Sequence, residues 1–187
     1  MTPRIRTILT KVHFTVLSVA ILNSISKNFT PISLADEIAF GVNLLTVISG
    51  LFLFFFYFKP FKKINFYFAV YALSAIFVIT GLIFRGIFGA LILSIILYPI
   101  IPNEKEFEFE GVTISTPFQG FISPCCAYQV KERKYLIFEK DYGVFKLDGE
   151  GPINFESVKI NLSNTDIKIT YTTIFEEGVE KKKILKR

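Results

Sequence analysis

A bundle of four transmembrane helices followed by a small antiparallel all-β domain is the fold class this sequence predicts. The β domain is expected as a sandwich or barrel of six to seven strands. Three observations carry that reading. The stretch 64–101 runs for 38 residues with a single charge, Arg85. As one helix it would be about 57 Å long at ~1.5 Å per residue, whereas ~20 residues cross a hydrocarbon core of ~30 Å. It is therefore expected to cross twice, folding back at Arg85-Gly86. The charge is also divided sharply. Residues 1–102 hold eight basic side chains against two acidic ones, and residues 103–187 hold 13 basic against 14 acidic. Finally, the apolar periodicity changes to two after Asn103, as strands require.

The spans follow in order. The first, 5–26, begins in a basic, polar segment and is apolar from Val12 to Ile25. It looks like a signal peptide, with Ser24 and Ser26 as a small cleavage pair, but an uncleaved span is the preferred reading because further spans follow. Thr7, Lys11, Thr15 and Ser18 fall on one helix face and are expected to meet other helices, with Lys11 reaching back to the cytosolic surface. Lys27 to Glu37 reads as a short outer loop. The second span, 38–58, lacks charge and carries a small, polar stripe of Ala39, Asn43, Thr46 and Gly50. The third, 64–84, places Tyr67, Tyr71, Ser74, Val78 and Gly81 on one face. The fourth, 86–101, is short. Its Gly86, Ala90, Ser94 and Tyr98 recur every four residues, a ladder that permits close helix approach, within one chain or at an oligomer seam.

Basic residues set the expected orientation. The N-terminus and the loop between the second and third spans hold Arg4, Arg6, Lys11, Lys59, Lys62 and Lys63. The other loops hold only Lys27 and Arg85. Positively charged loops stay in the cytosol. Four spans then return residues 103–187 to the cytosol, giving a multi-pass bacterial inner-membrane protein with both termini inside.

In the β half, Phe107 and Phe109 alternate with glutamates, and Val112 and Ile114 continue after a phase shift at Gly111. Tyr128 and Val130 lead a second strand, the charged KERK run (131–134) reads as a turn, and Tyr135–Phe138 as the next strand. Asp141-Tyr142-Gly143 reads as another turn before Val144–Leu147. Val158, Ile160 and Leu162, then Ile167, Ile169 and Tyr171, alternate with polar residues, and Val179–Leu185 closes the domain.

Few chemical constellations are available. His13 is the only histidine, so a Ser-His-Asp or Cys-His site in the polar half and a clustered His/Cys metal site are excluded by count. No nucleotide-binding glycine motif occurs, and no cofactor is expected. Arg6 and His13 have the spacing of the Arg/His pair in HEPN ribonucleases; in a membrane-entering helix this is read as chance, and His13 as an interhelical hydrogen-bonding group. Cys125 and Cys126 are adjacent, with Cα atoms about 3.8 Å apart against the ~4.4–6.8 Å of relaxed disulfides. They are expected to be unpaired, small core residues. A near-neutral polar half argues against direct nucleic-acid binding.

The functional expectation is a non-enzymatic membrane protein whose cytosolic β domain binds a protein partner or small signal and biases the span bundle. An accessory or effector of an antiphage defence system, acting by membrane perturbation or a pore, is the expected setting. The alternatives are a membrane-anchored interaction or toxin-immunity protein without a pore, and a membrane-bound ribonuclease using Arg6 and His13. The expected partners are the lipid bilayer, further copies of the chain, and that cytosolic protein or signal.

Overall fold

The computed structural model describes residues 3–58, 63–84, 86–118, 120, 126–147, 151–163, 165–175 and 178–187. Arg85, Lys59, Lys62 and Cys125, singled out above, lie outside the described residues. The chain forms helices first and antiparallel sheets after them, in two compact units. The helical unit holds 1–28 and 36–102. The β unit holds Phe29–Ala35 together with Asn103–Phe118 and Pro124–Arg187.

Among the described residues, three helices are long and apolar enough to cross a membrane, not four. They are α1 (Pro3–Phe29), α2 (Asp36–Tyr57) and α3 (Ile64–Ile83). The expected fourth span is α4 (Ile87–Leu97), only 11 residues. That is about 16 Å of helix, half of a hydrocarbon core. The chain turns at Tyr98–Ile100, where Pro99 stops the helix. Asn43 Nδ2 of α2 donates to the Pro99 carbonyl at 2.6 Å. Asn43 lies two turns into α2, about 10 Å from its start at ~1.5 Å per residue. The end of α4 is thus level with the first third of α2 and has not reached the other end of the bundle. α4 folds back on α3 by close backbone approach. A methyl group on Gly89 would meet the carbonyl oxygens of Phe84 and Gly81.

Among the described residues, the β unit is two facing sheets, with no closed barrel. One has five strands in the order β1-β5-β4-β3-β2, and the other three in the order β6-β7-β8. β1 (Ile32–Leu34) comes from the segment between α1 and α2, expected as a plain loop. It pairs antiparallel with β5 (Phe138–Lys146) in the register Ile32↔Lys140, Ser33↔Glu139, Leu34↔Phe138. β2 (Glu104–Phe109) and β3 (Val112–Thr116) are a hairpin rather than one strand with a phase shift. Glu110 and Gly111 both take positive φ (48° and 80°), as a two-residue hairpin turn of that hand requires.

β4 (Ala127–Tyr135) and β5 reverse another expectation. The charged KERK run is strand, and the apolar Tyr135–Phe138 run is the turn. The charged run tolerates a sheet because its members pair: Lys131 Nζ with Glu139 Oε2 at 3.9 Å, Arg133 with Glu139 at 3.7 Å, Lys134 with Glu132 at 2.9 Å. The two pairs to Glu139 cross from β4 to β5 and support the ladder, whereas Lys134–Glu132 lies within β4. Asp141 and Gly143 also continue β5 instead of breaking it.

β6 (Ile153–Leu162), β7 (Asp166–Thr173) and β8 (Lys181–Lys186) form the second sheet. β7 keeps the expected alternation, with Ile167, Ile169 and Tyr171 buried. One core joins the sheets. Val112, Ile114, Tyr128, Val130 and Phe145 of the first pack with Ile153, Val158, Ile160, Ile167, Ile169 and Tyr171 of the second. Tyr128 Oη accepts the Ile153 amide proton at 3.1 Å, so its polar tip is satisfied inside that core. Cys126 is buried in the same core, as expected for a small residue, but it is disulfide-bonded rather than unpaired.

Candidate functional site

The most polar place inside the helical unit lies where α1, α2 and α3 meet. His13 is fully buried there. Its Nδ1 is 2.8 Å from Ser49 Oγ, and its Nε2 is 3.0 Å from Tyr67 Oη. Tyr67 Oη is 2.9 Å from Tyr71 Oη. Ser49 donates its own proton to the Thr46 carbonyl at 3.1 Å. Ser49 Oγ therefore accepts from His13 Nδ1–H, which leaves Nε2 to accept from Tyr67, and Tyr67 to accept from Tyr71. The ring is also walled by Phe14, Phe68 and Tyr71, with centroids 5.3–5.4 Å away. One to two turns toward the N-terminus, the Arg6 guanidinium sits 4.8 Å above the Tyr57 ring, and Tyr57 Oη is 3.2 Å from Thr10 Oγ1.

These positions follow from simple local rules. Arg6, Thr10 and His13 lie three to four residues apart and share one helix face. Thr46, Ser49, Gly50 and Leu53 do the same on α2 and are buried. Gly50 makes room for aromatic packing, since a methyl group there would stand 2.6 Å from the Tyr71 ring. The expected inward stripe of α1, Thr7, Lys11, Thr15 and Ser18, is exposed instead. Short hydroxyl side chains can satisfy themselves on their own helix, as Ser18 does on the Phe14 carbonyl at 2.8 Å. An imidazole has two ring nitrogens and needs partners from other helices, so His13 decides which face turns inward.

Of the residues expected to pack helices, Ala39, Thr46 and Gly50 are buried, and Asn43 is half-buried with its bond to Pro99. On α4, Gly86 and Tyr98 are exposed, Ala90 and Ser94 are half-buried, and the buried glycine is Gly89, one residue off the ladder. Ser49 was not in the expected stripe. Its signal is the i, i+3 step from Thr46, which an every-fourth-residue pattern passes over. Asn65 on α3 is fully buried, and its amide has no hydrogen-bond partner among the described residues.

The hydroxyl–imidazole chain runs Tyr71, Tyr67, His13, Ser49 and ends on a backbone carbonyl. A carbonyl accepts a hydrogen bond but does not take up a proton at ordinary pH, so the chain is a lock on helix register rather than a relay. No carboxylate is among these partners. Arg6 and His13 are engaged in two separate clusters, cation–π on Tyr57 and hydrogen bonds to Ser49 and Tyr67. Among the described residues, no three His, Cys, Asp or Glu side chains converge as a metal site.

The lock makes a direct prediction. His13→Ala removes two interhelical hydrogen bonds, each worth ~0.6–1.7 kcal/mol inside a membrane protein. Loss of about 1–3 kcal/mol of bundle stability is expected on SDS titration followed by helical circular dichroism. Thr15→Ala on the exposed face is expected to leave that midpoint unmoved. Equal midpoints for both variants would refute the lock.

A second polar cluster lies in the β unit. Glu132 is 6% exposed. It accepts from Tyr142 Oη at 2.5 Å, from Arg187 Nε at 3.2 Å, from Arg187 Nη2, and from Lys134. Burial by itself pushes the Glu132 carboxyl up. The hydrogen bonds from Arg187, Tyr142 and Lys134 outweigh it and hold the group down at about 2. Burial and the adjoining carboxylate push Tyr142 up to about 12. The cluster ties the C-terminal residue of the chain to β4, across the two sheets.

Comparison with known proteins yields no match: no family model, curated protein or solved structure is similar to this chain.

Proposed function

We propose that this is a three-span membrane protein that presents its β-sandwich on the extracytoplasmic face, as a non-enzymatic binding module coupled to the helices. The observation that carries the proposal is the β1–β5 pairing. β1 lies between α1 and α2, so it emerges on the side opposite the N-terminus. A strand cannot be hydrogen-bonded to β5 across a bilayer, so β2–β8 share that side. A fourth crossing by α4 and this pairing exclude each other. The short α4 and the level of Pro99 agree with three crossings.

Orientation follows from charge. The six basic residues at the N-terminus and between α2 and α3 favour the cytosol for that side. The sandwich is then outside. An effector that reads a cytosolic signal needs the sandwich inside, so this proposal moves the binding surface outward. Coupling to the helices is short-range along the chain. Two residues separate α1 from β1, one separates β1 from α2, and six separate α4 from β2. A partner that strains the five-stranded sheet acts on the ends of α1 and α2 with little slack between.

Reporter fusions test the side. Alkaline phosphatase fused after Arg187 is expected to be active in intact bacteria, and green fluorescent protein at the same point is expected to be dark. Fluorescent cells with inactive phosphatase would place the sandwich inside and overturn the proposal.

A further inference from the structure

The turn between β4 and β5 is made of the wrong residues for a turn in water. Tyr135, Leu136, Ile137 and Phe138 are 71%, 91%, 46% and 38% exposed. Solvated hairpin turns favour Gly, Asn, Asp, Pro and Ser because those residues suit the backbone or hydrogen-bond to it. None is present here. Single exposed apolar residues are ordinary, but four consecutive ones at a hairpin tip need a reason.

The chain supplies the reason through its position. The Ala35 amide donates to the Ile137 carbonyl at 3.0 Å, and Leu34 stands opposite Phe138. Ala35 is followed directly by Asp36, the first residue of α2, one of the three membrane-length helices. The tip is therefore bonded to the backbone one residue before a span begins. A group held there is within a few ångströms of the surface that α2 enters. The boundary between headgroups and acyl chains is where a Tyr beside aliphatic side chains is favoured over the same residues in water.

We propose that the β4–β5 hairpin tip, Tyr135–Phe138, inserts into the headgroup–acyl boundary of the membrane spanned by α2, and pins the sandwich to it. Each of the four side chains gains what an interfacial anchor gains, burial of apolar surface with no backbone group leaving its ladder. The proposal rests on the membrane-spanning reading of α2 and not on which side the sandwich faces.

The test uses the absence of tryptophan from the chain. Full-length Leu136→Trp in lipid nanodiscs carries a single fluorophore at the tip. Ile184→Trp on β8, exposed at 61%, is the control. Tyr135→Trp, an aromatic exchange, repeats the tip measurement should Leu136→Trp alter the elution profile. At the tip we expect blue-shifted emission and loss of most of the signal when the nanodisc lipids carry brominated acyl chains. The control is expected to emit as a solvated indole and to stay unquenched. Solvated, unquenched emission at the tip would overturn the proposal and leave the hairpin facing water. Blue-shifted but unquenched emission would also overturn it, with protein, such as a second copy, covering the tip. Both results are independent of the fusion reporters, which read side and not depth.

Discussion

Glu132→Gln is expected to cost the sandwich on the order of 3 kcal/mol. In the folded chain this carboxylate is held at about 2, against an ordinary 4.5. Each unit of such a difference is worth ~1.4 kcal/mol between the two protonation states. The amide keeps the shape but loses the charge that Arg187 and Lys134 are bound to, and one oxygen becomes a donor facing cations. The sign of the pH dependence follows. A carboxylate whose pKa is depressed by folding contributes fully above its unfolded value and loses that contribution as pH falls through the folded one. Wild-type stability is therefore expected to fall between pH about 4.5 and about 2 by the same amount, and Glu132→Gln to flatten that portion of the curve. Urea midpoints of the detergent-solubilised chain across this range measure both. A variant as acid-sensitive as the wild type would show that Glu132 is not the titrating group.

Gly89→Ala is expected to be the most damaging one-carbon change in the helical unit. The added methyl group lands on the Phe84 and Gly81 carbonyl oxygens, which are backbone and have no alternative rotamer. Overpacking of this kind costs ~1–3 kcal/mol, and here the relief is separation of α4 from α3. Gly41→Ala on α2 is the matched comparison. Nothing lies within 4 Å of its added carbon, and alanine is the better helix former by ~1 kcal/mol. Heating in detergent followed by size exclusion is expected to move the two variants in opposite directions, Gly89→Ala down and Gly41→Ala up or unchanged. Matching midpoints would mean that α4 is not seated on α3.

Most elements are legible in the sequence, but several of their roles are not. The second and third spans end within two residues of α2 and α3, because apolar length between charges needs no tertiary partner to be recognised. β7 was legible for the same reason, since one buried face imposes strict alternation. The fourth span was not. Residues 86–101 are as apolar as the others, and composition counts apolar residues without knowing where Pro99 stops the helix relative to α2. On α1, four hydroxyl and ammonium side chains outnumbered one imidazole, yet the imidazole faces inward because only it requires partners on other helices. KERK and Tyr135–Phe138 exchanged roles for a related reason. A charged run is a good strand once its charges are paired within and across strands, and the apolar run then falls at the hairpin turn.

What the sequence determined by itself is the division into an apolar helical half and a near-neutral, alternating β half, together with the basic bias of the N-terminus and of the segment between α2 and α3. Both are sums over local side chains, and transfer free energies add residue by residue. What only the tertiary structure decided is that the segment between α1 and α2 supplies an edge strand to the five-stranded sheet. That depends on three residues, Ile32 to Leu34, donating and accepting backbone hydrogen bonds with a strand more than a hundred positions away. No local property of an Ile-Ser-Leu tripeptide encodes that pairing.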